Sequence, residues 1–396
     1  MKATIARLRL PRSESPLPVA YFLVTSATIV LVVLGVIMVQ SSTAVTALTT
    51  GNSLLTGLKR QGLFALIGGI TMVVLSRTPQ HIVKKYAWVA LAAGLFLQLL
   101  VYSPLGYEAG GNRNWIRIGP ISGQPAELMK FVLVIWIATI LSNKERLISS
   151  WKHALIPVVP VVILSIFINI VGGDLGTILV IVCLLFGALY FAQIKTRILL
   201  GLSVFFAAGV AVMTVIKPNR VMRVIHYLET DCVTDVESYH GLCWQPLHGL
   251  WAMSHGGVFG VGVGNSIAKW SWLPAADNDY IFAIIAEELG LIGALFTLGV
   301  FVLLIFAMVW ALRKSRDLFS TVVLGAAMVW IASQMIVNIS VVLGFIPVLG
   351  VPLPFVSSGG TSLLAAMAMM GVVLSCIRNN ARADDDFSMG SGVPLR

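Results

Sequence analysis

The stretch YIFAIIAEELGLIGALFTLGVFVLLIFAMVWALRK, Tyr280 to Lys314, decides what kind of fold this chain can have. Between Tyr280 and Arg313 the only charges are Glu287 and Glu288. A run this long and this apolar exceeds the roughly 20 residues that cross about 30 Å of hydrocarbon. Working outward, apolar runs of spanning length predict ten helices, at residues 18–40, 61–76, 84–103, 125–142, 155–171, 176–193, 197–216, 281–312, 319–343 and 361–377. The chain is 58% hydrophobic and 11% charged, with a mean hydropathy of +0.92, outside the range of ordinary water-soluble domains. It reads as an all-α polytopic integral membrane protein: a tail at 1–17, one transmembrane domain at 18–377, and a tail at 378–396. One long extracytoplasmic loop, 217–280, joins the seventh and eighth helices.

Orientation follows from the basic residues, because Lys and Arg in short loops stay cytoplasmic. With both termini inside, 18 of the 27 Lys and Arg fall on the inner side and 9 on the outer. The net charge of +10 is therefore a topology signal and not a nucleic-acid footprint, since the basic residues are scattered and lack an aromatic platform. Met1–Leu17 reads as a cytoplasmic tail and not as a cleavable leader, because the apolar run behind it is too long and lacks a small-residue cleavage site. In the long outer loop, Cys232 and Cys243 are placed to bridge in an oxidising compartment, two unpaired thiols being the alternative. Cys183 and Cys376 lie in helices and read as packing residues.

The inner loops are short, with no Walker motif, which argues against energy from cytoplasmic nucleotide. Polar residues collect on the outer side, in Glu108–Lys130, Gly172–Thr177, Lys217–Tyr280 and Gly344–Ser362. The segment GGVFGVGVGNS, Gly256–Ser266, looks like a dinucleotide fingerprint but lacks the preceding strand and the ribose-binding acid of a βαβ unit. Its glycines are better suited to close backbone approach. The three prolines of PVLGVPLPFVSSGG predict broken, re-entrant backbone lining a cavity.

Ionisable residues in or near spans are informative because an unpaired charge in hydrocarbon is costly. Glu127 and Lys130 sit three apart and can pair on one helix face. Asp277 and Asp279 open the eighth helix, where a carboxylate is either an N-terminal cap or a reacting group. Glu287 and Glu288 follow about 12–14 Å deeper along the axis at 1.5 Å per residue, too far to share a reaction centre with Asp279. Both are read, with Glu127, as structural.

Five separated motifs resemble the SEDS family (shape, elongation, division and sporulation; FtsW/RodA), most closely its FtsW or division branch. They are LKRQ (Leu58–Gln61), NRNWIRIGPISGQPAELMK (Asn112–Lys130), GGDLGT, LPAADNDYIFAIIAEELGLIG (Leu273–Gly293) and GVPLPFVSSGGTSLL (Gly350–Leu364). In the family's acidic motif the essential aspartate aligns with Asp279, while Ala275, Asp277, Asn278 and Tyr280 stand where Glu, His, Thr and Phe are usual. Gly173 replaces a common proline and Ser358 a usual tyrosine.

The resemblance implies a SEDS-type bundle and an inverting peptidoglycan glycosyltransferase. It would act at the outer face of the bacterial cytoplasmic (inner) membrane, at the division septum, and polymerise lipid II, the undecaprenyl-diphosphate-linked disaccharide peptide. Asp279 would be the general base. Arg113, Arg117, Lys130, Arg220 and Lys269 would be cations for the diphosphate, with Ser357 and Gly359 as further substrate contacts. A divalent cation, Mg2+ or Mn2+, could assist. Expected partners are an FtsI-like class B penicillin-binding protein transpeptidase, other divisome proteins and membrane lipid, with no nucleic acid. The competing readings are a lipid II flippase and a RodA-type elongation polymerase.

Overall fold

The computed structural model describes residues 16–49, 51, 53–109, 111–119, 121–148, 150–216, 227, 232, 239, 241 and 243–391. Its helices are α1 (Pro16–Thr49), α2 (Thr56–Arg77), α3 (Gln80–Leu99), α4 (Pro125–Asn143), α5 (Trp151–Leu155), α6 (Val159–Gly172), α7 (Leu175–Phe191), α8 (Thr196–Ile216), α9 (Trp244–Gly256), α10 (Ile281–Arg313), α11 (Leu318–Val342) and α12 (Gly360–Ser391). Among the described residues seven helices, α1–α4 and α10–α12, are long and apolar enough to cross a membrane. Shorter apolar helices cover Val159–Gly172, Leu175–Phe191 and Thr196–Gly209.

Hydropathy marks where a helix enters lipid, not where it stops being helical, and two boundaries move accordingly. The first helix runs past the expected residue 40 to Thr49, and the last past 377 to Ser391, through Ala, Arg and Asp residues with no proline to end it. A small antiparallel sheet, β1 (Gly106–Ala109), β2 (Asn112–Ile118) and β3 (Ile121–Gly123), joins α3 to α4, in the order β1-β2-β3. The expectation of a purely α chain did not include it, because one short meander contributes little hydrophobic periodicity.

In the bundle α4 and the spanning part of α12 form the centre, each 83% buried, whereas α2 is 17% buried and turns its apolar side chains outward. Lipid is as apolar as a helix surface, so packing in a membrane depends on close approach at small residues. The seam between α2 and α12 is of this kind. A Cβ on Gly371 would lie 2.7 Å from the carbonyl oxygen of Met72, and one on Gly68 2.5 Å from Sδ of Met367.

The opening stretch is not one straight helix. Gly290 breaks α10 with φ 69° and ψ −170°, a left-handed φ that glycine tolerates at little steric cost. The break frees backbone groups that must find partners inside the membrane domain. The segment after α9 supplies them: Leu291 N donates to Gly257 O (2.9 Å) and Ile292 N to Val258 O (3.3 Å), while the carbonyls of Glu287 and Glu288 accept from Val261 N and Gly262 N (3.0 Å each). A Cβ on Gly260 would meet Glu288 O at 2.2 Å. The glycine-rich segment Gly256–Ser266 is thus a backbone splint.

Residues at the two ends of the splint, together with α1, bind the side chains of both glutamates. Glu287 accepts from Ser266 Oγ (2.5 Å) and Ile267 N (2.9 Å) and pairs with His255 Nδ1 (3.0 Å). Glu288 accepts from Ser41 Oγ of α1 (2.6 Å) and pairs with Lys269 Nζ (3.0 Å), which also donates to Gly264 O.

Between α8 and α9, Cys232 is bonded to Cys243, which immediately precedes α9. Closing this short loop lowers the entropy of the unfolded chain, an effect of about 3 kcal/mol on the chain-entropy model. A maleimide probe should label neither Cys232 nor Cys243 in native, non-reduced protein, and both after reduction. Labelling of both without reductant would rule the bridge out.

Candidate active site

Three polar segments and the small sheet meet in a cavity of about 880 Å3. Its wall includes Asn112, Asn114 and Trp115 of β2, Gln124 and Glu127 at the start of α4, Gly173 and Asp174 between α6 and α7, Gln245 of α9, Pro274, Ala275, Asn278 and Asp279, Pro347–Gly350, and Ser358, Gly359, Thr361 and Ser362.

Asp279 is held there through its backbone. Three successive carbonyls of its loop are clamped: Asp277 O by Ser358 N (2.8 Å), Asn278 O by Ser357 Oγ (2.6 Å) and Asp279 O by Asn338 Nδ2 (2.9 Å). Ser357 Oγ in turn accepts from Leu353 N (2.8 Å), and Asn338 Nδ2 also donates to Val351 O (2.8 Å), so the proline-rich loop and the acidic loop form one rigid unit. The re-entrant backbone expected from the prolines does this clamping. With its main chain fixed, the Asp279 carboxyl faces the cavity, and its buried Oδ1 has no hydrogen-bond partner.

An unpaired, shielded carboxylate holds its proton more tightly. Burial, then the nearby Asp277 carboxylate, then Asp174 push the Asp279 pKa up from 3.8 to about 7. Asp174 is the anion that sequence reasoning passed over within GGDLGT. It caps α7, is 3% exposed, and accepts from Thr177 N (2.9 Å), Thr177 Oγ1 (2.8 Å), Asn114 Nδ2 (2.7 Å) and Gln124 Nε2 (2.7 Å). Four donors stabilise its charge in place. Asn338 was also missed; its only sequence signal is an amide side chain late in the apolar α11, among Ser333, Gln334 and Ser340.

A raised carboxyl pKa has a definite sign. Between the ordinary carboxylate range and about pH 7 the folded protein keeps a proton that the unfolded chain has lost, so this group's contribution to stability is complete at low pH and falls as pH rises through that window. Base function runs the other way and needs pH above about 7. Turnover should therefore climb through neutrality to a plateau. Asp174→Asn, by removing one neighbouring negative charge, should move that rise to lower pH. An unshifted rise in a folded, active Asp174→Asn protein would remove Asp174 from the electrostatics of the site.

The expected cations are placed elsewhere. Lys130 is 1% exposed and pairs with Glu127 (2.7 Å), also donating to Gln334 Oε1 (3.1 Å), and Lys269 pairs with Glu288. Arg113 donates to the carbonyls of Val101 (3.2 Å) and Ser103 (3.3 Å), and Arg117 lies over the Tyr107 ring at 4.6 Å. None of these four lines the cavity, and Arg220 lies outside the described residues. Gly359 does line it, whereas Ser357 stands behind the wall as a clamp. Among the described residues no group of three His, Cys, Asp or Glu side chains has metal-binding geometry. Glu127 shows one oxygen to Lys130, while its buried Oε2, at the cavity wall, is unpartnered. Glu127, Glu287 and Glu288 are each buried; Glu127 and Glu288 pair with lysines, and Glu287 is hydrogen-bonded to His255.

Comparison with known proteins agrees with the motifs. The probable peptidoglycan glycosyltransferase FtsW of Mycobacterium tuberculosis is 32% identical over 365 residues, covering 92% of this chain and 69% of the relative. Stage V sporulation protein E of Bacillus subtilis is 34% identical over 354 residues, covering 89% of this chain and 95% of the relative. Among solved structures, a chain from a peptidoglycan synthase complex, studied for its coordination of polymerization and crosslinking, superposes with a TM-score of 0.68 at 24% identity, covering 91% of this chain and 97% of that one. The rod shape determining protein RodA of Thermus thermophilus gives 0.64 at 23% identity, covering 90% and 96%. The sequence profile of the FtsW, RodA and SpoVE family, described as a cell cycle protein, matches residues 21–382, and with this membrane bundle around a clamped aspartate the chain belongs to that family.

Proposed function

We propose that this chain is a peptidoglycan glycosyltransferase that polymerises lipid II into β-1,4 glycan strands, with Asp279 as its general base. The observation that carries the reading is the Asp279 carboxyl itself: fixed by three clamped carbonyls, exposed to a large cavity, and poised near neutrality. A general base works best with a pKa near the operating pH. Asp279 takes the proton of the acceptor hydroxyl as that oxygen attacks the anomeric carbon. The bond to the lipid diphosphate breaks with inversion, and the diphosphate leaves with the electron pair. The relatives named peptidoglycan glycosyltransferase support the same chemistry.

The departing diphosphate calls for positive charge. Arg220 remains the candidate from the outer loop, with Arg113 and Arg117 on the neighbouring sheet; Gly359 offers a close backbone approach, and Ser357 acts through the loop it clamps. The positive-inside distribution supports cytoplasmic termini and an outward-facing cavity. The fold likeness to a chain of a peptidoglycan synthase complex supports pairing with a transpeptidase, and the identity to FtsW relatives supports action at the septum.

The test is polymer formation from purified protein and lipid II, with and without a class B penicillin-binding protein, run beside scrambling of labelled lipid in vesicles. Glycan strands are the expected product. Scrambling by wild type without polymer would overturn the reading in favour of a flippase.

A further inference from the structure

The outer loop carries a second organised feature that the reaction at Asp279 leaves unexplained. Four rings gather around His248: Trp244 at 4.0 Å, Trp251 at 4.9 Å, Trp272 at 5.9 Å and Tyr239 at 6.2 Å between ring centroids. Trp272 lies nearly parallel to both His248 (15°) and Trp244 (19°). The cluster is tied to the catalytic loop, since Trp244 Nε1 donates to Trp272 O (3.0 Å) and Gln245 Nε2 to Pro274 O (2.8 Å). Gln245 and Pro274 both line the cavity that holds Asp279.

His248 is 6% exposed, yet Trp251 and Trp272 are 50% and 51% exposed. Indole surface is left open although its own backbone and ring contacts hold it rigid. Rigid, amphipathic aromatic surface of this kind gives binding area at low entropic cost. Its attachment to the cavity wall through Gln245 and Pro274 selects the occupant. A β-linked pyranose presents hydroxyls around its edge and C–H bonds on its face. Those C–H hydrogens complement the negative face of an indole, and the Gln245 amide can bond the ring hydroxyls.

We propose that the Trp251–Trp272 face is a carbohydrate subsite that holds sugar rings of the glycan strand beside the cavity. The inference rests on the glycosyltransferase reading and adds to it a track for the polymer. Trp270, 53% exposed, is as open to an interface but belongs to none of the ring pairs at His248.

The experiment measures binding of a β-1,4-linked N-acetylglucosamine tetramer to the full chain by quenching of tryptophan fluorescence, in wild type and in Asp279→Asn. Both should bind it. Trp272→Ala and Trp251→Ala should each weaken binding about two- to tenfold, the range of one aromatic contact, and shorten the strands made from lipid II. Trp272→Phe should restore most of the affinity, and Trp270→Ala should leave it unchanged. Using two alanine variants keeps the test open if one fails to fold. Equal tetramer affinity in a folded Trp272→Ala or Trp251→Ala protein would overturn the subsite. So would an equal loss in Trp270→Ala, or a defect confined to association with phosphatidylcholine vesicles or with the transpeptidase. Tetramer binding is read without turnover, so a wild type that binds the sugar but makes no polymer would indict the proposed reaction and not this surface.

Discussion

Asp279→Asn should lower glycan synthesis from lipid II by about a hundredfold to ten-thousandfold, the usual range for loss of a general base, while lipid II still binds. The amide has nearly the shape of the carboxyl. All three backbone clamps on the loop survive, because they hold the carbonyls of Asp277, Asn278 and Asp279 and not the side chain that is changed. The variant also separates charge from shape through stability. Ionised Asp279 is strained by burial above about pH 7, so the neutral amide should make the protein more stable at pH 8, by up to about 4 kcal/mol, and by little at pH 4. Asp277→Asn should be far milder, since Asp277 does not line the cavity and acts on Asp279 only through its charge, whose loss should move the pH rise of turnover downward. Polymer formation at wild-type rates by Asp279→Asn would sink the general-base assignment.

The second large effect falls outside the cavity. Lys269→Met should cost about 3–5 kcal/mol of stability, the penalty for stranding a buried charge. The side chains of Lys269 and Glu288 are 3% and 0% exposed, and without the ammonium Glu288 keeps only the Ser41 hydroxyl. Lys269 also spans the loop to Gly264 and α1 to Ser41, so its loss should loosen the splint across the Gly290 break. Pairing Lys269→Met with Glu288→Leu should recover much of the loss, because replacing both members of a buried pair by apolar groups is often neutral. Thermal unfolding of the two singles and the double in detergent measures the coupling. A folded Lys269→Met protein that loses only lipid II affinity, with unchanged unfolding, would return Lys269 to the substrate site.

These two expected results divide Asp279, Glu287 and Glu288 between chemistry and architecture. Asp279 has no partner for its buried Oδ1, whereas Glu287 and Glu288 have all their oxygens engaged by Ser266, Ile267, His255, Ser41 and Lys269. A group that must move a proton is left without competing donors, and a group that must hold a helix break together is saturated with them.

Sequence alone determined the membrane fold, because spanning helices are written locally in apolar runs whose length the bilayer sets. It also singled out Asp279, through a motif that is contiguous in the chain, and the pairing of Glu127 with Lys130, which helical spacing predicts. What only the tertiary structure decided are contacts between residues far apart in the chain. Lys269 meets Glu288 and Ser41, Asn338 clamps Asp279, and Asp174 is fixed by Asn114 and Gln124. A basic residue in an outer loop has the same sequence signature whether it awaits a phosphate or neutralises a carboxylate. Burial and the partner at about 3 Å separate the two, and both arise only when the break at Gly290 folds the glycine segment back against its helix.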